Sequence, residues 1–87
     1  MGYHTKKIKR GVYGEFSKIQ EEFDELIDAR QQNNPIMELI ELSDLIGSVE
    51  AYTTKHFNIT LDDLIRMTNA TKSAFMDGTR KPKINTK

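Results

Sequence analysis

The sequence predicts an all-α fold: a small antiparallel bundle of about three main helices, completed by oligomerisation. Three observations predict it. Apolar residues recur at spacings of three and four in three separate segments, the signature of helices with one oily face. No segment alternates apolar and polar residues over the length of a strand. With 87 residues and 37% hydrophobic content, the chain makes one domain with a small core of its own, so apolar helix faces gain most by meeting a second copy.

Residues 1–13 form a basic N-terminal segment carrying Lys6, Lys7, Lys9 and Arg10 without sustained periodicity, and Gly11 and Gly14 bracket a loop. The helical domain is assigned to 14–78. From Glu15 to about Gln32, the residues Phe16, Ile19, Phe23, Leu26 and Ile27 make one helical stripe. The QQNNP stretch breaks it. There Asn34 suits an N-cap and Pro35 the first helical position, which starts a second helix running to about His56. Its apolar residues Ile36, Leu39, Ile40, Leu42, Leu45, Ile46 and Val49 cover most of its circumference, which predicts a central helix, interrupted only by Gly47. A third helix starts at Thr60-x-x-Asp63, a capping box with Asp in place of Glu or Gln. Leu61, Leu64, Ile65, Thr68, Thr71 and Phe75 continue its face until Gly78, a suitable residue to end a helix. Residues 79–87, with Arg80, Lys81, Lys83 and Lys87, form a basic tail.

Composition narrows the chemistry. There are no cysteines, so disulfides and thiolate metal sites are excluded. No apolar run approaches the roughly 18 residues of a membrane span, and no signal-peptide core is visible, so the expected setting is cytoplasmic. The net charge of zero conceals a segregation: Glu15 to Asp77 holds all thirteen acids and only five basic residues, a balance of −8. Such a body is a poor surface for nucleic acid and suits a divalent cation. His4 and His56 are not expected to join the acids in a metal cluster. Tyr13, Phe16 and Tyr52 read as core aromatics, and Glu21, Asp24 and Asp28 as ordinary solvated acids.

Four other acids are paired. Glu22 and Glu25 lie three apart at the border of the first stripe, and Glu41 and Asp44 lie three apart in the oily stretch ELIELSDLIG. Acids on one helix face repel each other and lose hydration together, and no lysine or arginine occurs between Arg30 and Lys55 to compensate them. The compensation must come from elsewhere, by water or by a metal ion.

Glu22-x-x-Glu25, fifteen intervening residues, then Glu41-x-x-Asp44 is an ExxE–ExxD pattern with a helix break between its halves. In this the chain resembles the MazG-like, all-α nucleoside triphosphate pyrophosphohydrolases, over roughly residues 12 to 80. The resemblance implies Mg²⁺-dependent cleavage of a (d)NTP to (d)NMP and pyrophosphate, with Mn²⁺ as a substitute ion. It implies Glu22, Glu25, Glu41 and Asp44 as metal ligands, with Glu22 or Glu25 as the catalytic base. Glu38, three before Glu41, is a candidate outer-shell acid. Asn69-x-x-Lys72 matches the family's phosphate-binding residues, but Met76 stands where an arginine is expected, and Arg80 or Lys81 is the substitute candidate. The resemblance further implies a homodimer or homotetramer, and the single-domain form is most like those of phages and bacteria, which would place a phage protein in the host cytoplasm. Two alternatives stand beside this reading: a phosphoribosyl-ATP pyrophosphohydrolase, and a non-catalytic helical module that binds a nucleotide or serves as an adaptor.

Overall fold

A computed structural model describes residues 4–77, with the side chain of residue 77 excepted. It contains three helices: α1 (Phe16–Gln31), α2 (Pro35–Phe57) and α3 (Leu61–Asp77). No strand occurs among the described residues. The ending at Gly78, the tail and Arg80 lie outside them.

Each boundary has a local cause. Asn33, at φ 57°, ends α1 in the left-handed region, while the Asn33 and Asn34 amides donate to the Arg30 and Ala29 carbonyls in a Schellman arrangement. The Asn34 side chain then accepts from the Met37 amide at 3.1 Å, and Pro35 occupies the first turn of α2. Asn58, also at φ 57°, ends α2. The capping box opening α3 is reciprocal: the Thr60 amide donates to Asp63 Oδ2 at 3.1 Å, and the Asp63 amide to Thr60 Oγ1 at 3.2 Å.

The short connection folds α1 and α2 into an antiparallel hairpin, closed at its far end where Glu15 pairs with Lys55 and His56. The segment before α1 lies along this hairpin. Gly11 lies tight against the start of α1, because a Cβ there would sit 2.2 Å from the Ser17 carbonyl oxygen. Gly14 turns the chain into α1 at φ 88°. By contrast, α3 packs on neither other helix over an extended face. The Cα radius of gyration is 15.7 Å, against about 12 Å for a compact domain of this length.

The interior inverts the expected pattern. The α1–α2 seam buries Glu22, Asp28 and Ala29 from one helix and Met37, Glu41 and Ser48 from the other. Large apolar residues face outward: Phe16 is 61% exposed, Leu39 68% and Ile36 75%. Tyr13 and Phe16 are therefore not core residues of the single chain, although Phe16 and the half-buried Tyr52 meet edge to face at 5.9 Å. Periodicity identified the residues that share a face; the acid-bearing faces are the ones that meet. Among the described residues, no helix is long and apolar enough to cross a membrane.

Candidate functional site

The seam positions its acids by helical spacing. Glu22, Glu25 and Asp28 lie at successive intervals of three on α1, and Glu41 and Asp44 face them from α2. Ligand atoms of Glu22, Glu41 and Asp44 all lie within 4.8 Å of one another, as do those of Glu21, Glu22 and Glu25. The four carboxylates singled out in the sequence therefore come together. Glu38, in the first turn of α2 and half-buried, belongs to neither group.

Part of the missing compensation comes from outside α2. Lys18 Nζ lies 3.1 Å from Glu21 Oε1 and 3.3 Å from Glu22 Oε2. Glu21 also accepts from the Gly11 amide at 2.8 Å, so it is a bound acid rather than a solvated one. At the other end stands His4. Its Nδ1 lies 2.8 Å from Asp28 Oδ2 and its Nε2 3.1 Å from Glu41 Oε2, with Glu25 Oε1 at 3.9 Å.

Two further expectations are corrected here. His4 does join the acids, and Asp28, at 1% exposure, is buried. Besides His4, Asp28 accepts from the Thr5 amide at 3.0 Å, the Thr5 hydroxyl at 2.7 Å and Gln32 Nε2 at 2.9 Å. With four donors its charge is satisfied inside the protein.

Glu22 and Glu41 are not satisfied in the same way. Glu41 is fully buried at 0% exposure, and its Oε1 has no hydrogen-bond partner; Glu22 Oε1 is likewise buried and unpartnered.

The proton affinities follow. Burial raises the Glu22 pKa; Lys18 opposes this, and the charges of Glu25 and Asp44 add to it. Burial also raises Glu25, reinforced by the charge of Glu41. Asp28 is held well below the usual carboxylate range, first by the Thr5 hydroxyl, against the effect of burial, and then by His4, the Thr5 amide and Gln32. For His4, burial acts to lower the pKa, but the Asp28 hydrogen bond and the charges of Glu25 and Glu41 outweigh it, so the net shift is upward.

Beside Glu22 and Asp44 opens a cleft of about 300 Å³, lined also by Tyr13, Lys18, Gly47 and Ser48. A Cβ on Gly47 would meet nothing within 4 Å, so this wall of the cleft is open. Asn69 and Lys72 are exposed on α3, and Lys72 lines an apolar groove with Leu64, Met67 and Phe75. Within one chain the fold does not bring them to the acids. Arg80 lies outside the described residues.

The contribution of His4 was hidden from pattern reading, because it lies 24 and 37 residues from Asp28 and Glu41. The signal that could have found Asp28 was its place three beyond Glu25, which continues the row of Glu22 and Glu25. No protein-family model matches the chain, and no curated protein or solved structure matches it.

Proposed function

We propose that this chain is a divalent-metal-dependent nucleoside triphosphate pyrophosphohydrolase of the MazG-like type, cutting a (d)NTP between its α- and β-phosphates. The observation that carries this reading is the pair of buried carboxylate oxygens, Glu22 Oε1 and Glu41 Oε1, that no protein donor meets. A buried, unpaired charged oxygen costs several kcal/mol by order of magnitude, and a cation removes that cost. The donor set fits Mg²⁺, or Mn²⁺ in its place, because it consists of carboxylate oxygens on two facing helices.

Glu22, Glu25, Glu41 and Asp44 would hold the ion. When bound, it supplies charge neutralisation for the phosphates and activation of a water. Either Glu22 or Glu25 would serve as the base that takes a proton from that water. The cleft beside Glu22 and Asp44 offers room for the phosphate chain, and Lys18 brings a positive charge to its wall. Asn69, Lys72 and Arg80 keep the phosphate-binding role that the resemblance implies.

The exposed apolar faces support a homodimer or homotetramer, since burying each Leu, Ile or Phe contributes about 1.5–3 kcal/mol. A second copy's α3 would then bring Asn69 and Lys72 to the substrate. Pyrophosphate release from a panel of NTPs and dNTPs, with Mg²⁺ and with chelator, tests the proposal. Activity that needs Mg²⁺ and is lost in folded Glu41→Gln and Asp44→Asn variants supports it. A folded chain inactive on every nucleotide would replace it with the non-catalytic module.

A further inference from the structure

The imidazole of His4 is held in an orientation that the all-carboxylate site does not require. Asp28 is charged and accepts only, so the Nδ1 facing it carries a hydrogen. Thr5 and Gln32 lock Asp28 from the other directions, which fixes the ring as well. A histidine whose Nδ1 hydrogen is anchored on a buried carboxylate presents Nε2 to whatever lies beyond it, the arrangement that orients metal-binding histidines.

Among the described residues, two acceptors face Nε2: Glu41 Oε2 at 3.1 Å and Glu25 Oε1 at 3.9 Å. Either a second proton or a cation must stand among these atoms. The three residues place one ligand atom each within 4.8 Å of the others. With metal–ligand bonds of about 2.1 Å, ligands at a right angle are about 3.0 Å apart and opposed ligands about 4.2 Å. Both observed distances from Nε2 fall in that range. Glu41 is also fully buried, and its other oxygen, Oε1, has no partner, so this carboxylate can serve a cation on each side.

We propose that His4, Glu25 and Glu41 form a second metal site, sharing Glu41 with the Glu22–Glu41–Asp44 group, and that it takes a first-row transition ion. The nitrogen ligand decides the class of ion. Imidazole binds Mn²⁺, Co²⁺ and Zn²⁺ and contributes little to Mg²⁺, which prefers oxygen. Glu41, with one oxygen toward His4 and one unpartnered, would bridge the two sites. Asp28, Thr5 and Gln32 are positioning residues for the imidazole. This inference does not depend on which reaction the protein catalyses.

The test uses the full chain with Co²⁺, Mn²⁺ and Mg²⁺ as probes. Pulsed electron paramagnetic resonance of the Mn²⁺-loaded parent shows coupling to an imidazole ¹⁴N. In calorimetric titrations His4→Gln lowers Co²⁺ affinity by about tenfold or more and leaves Mg²⁺ affinity within about twofold. Asp44→Asn weakens Mg²⁺ more than Co²⁺ and retains the ¹⁴N signal, so failure of the nitrogen site is distinguishable from failure of the carboxylate site. Absence of ¹⁴N coupling in the parent, or parental Co²⁺ affinity in folded His4→Gln, would overturn the proposal and leave His4 as an imidazolium paired with the acids. The resonance measurement needs no variant, so it stands even where a substitution impairs folding.

Discussion

Replacing Glu41 with glutamine exchanges one buried oxygen for an NH₂ and leaves the shape of the side chain unchanged. In the metal-free parent, Glu41 Oε1 has no partner, and its charge faces Glu25, whose pKa it helps to raise. In Glu41→Gln the amide oxygen still accepts from His4, and the NH₂ gives the Glu25 carboxylate a donor. Relief of an unsatisfied buried acceptor is worth about 1–3 kcal/mol. For a domain of this length that raises Tm by roughly 5–20 °C. Metal reverses the comparison, because saturation at 100 times Kd stabilises the parent by about 2.7 kcal/mol and the variant, short of a ligand, by much less. Thermal unfolding followed by circular dichroism at one fixed protein concentration reads both arms. The variant melts higher in EDTA and loses or reverses that lead in Mg²⁺. A variant that melts lower in EDTA, or an equal response of both proteins to Mg²⁺, would refute the argument that these acids are compensated by metal.

Three further predictions rest on other parts of the structure. Glu22 and Glu25 have raised pKa values, so stability associated with them is complete below the ordinary 4.5 and declines as pH rises through their folded values. His4 has the same sign above its ordinary 6.5, so denaturant titrations of the metal-free chain show stability falling from pH 5 to 8, with a shallower fall above 6.5 in His4→Gln. Stability that rises over that interval would contradict the shifts. Gly47→Ala meets open space in the single chain and favours the helix by about 0.8–1 kcal/mol, so it raises Tm while narrowing the cleft and slowing nucleotide turnover; turnover equal to the parent's would remove Gly47 from the substrate's path. Leu39→Glu alters an outward apolar residue, so sedimentation should show a smaller species with helical content retained, whereas a parent already monomeric at micromolar concentration would contradict the assembly.

The helices were legible because their boundaries are written in local chemistry. Asn34-Pro35 and Thr60-x-x-Asp63 act within a turn of themselves, and the structure gives them those capping roles. The gathering of Glu22, Glu25, Glu41 and Asp44 was legible for a related reason, since spacing of three on two helices joined by a short break leaves few ways to arrange them. What could not be read was which face turns inward. Phe16, Phe23, Leu39 and Ile40 have the periodicity of a core, and a stripe awaiting a second copy has the same periodicity. His4 and Asp28 escaped because their pairing is set by the path of a non-helical segment along the hairpin, which local pattern does not encode. Placing acids in the seam and oily residues outside is costly for a lone chain. It becomes reasonable when a cation occupies one surface and a protein the other.

Cleavage between the α- and β-phosphates is the central claim, and ³¹P nuclear magnetic resonance of a nucleoside triphosphate incubated with the chain and Mg²⁺ tests it most directly. Pyrophosphate and a nucleoside monophosphate are expected in equal amounts, with neither product formed in EDTA. Nucleoside diphosphate with orthophosphate, or an unchanged spectrum for every nucleotide tried, would contradict it.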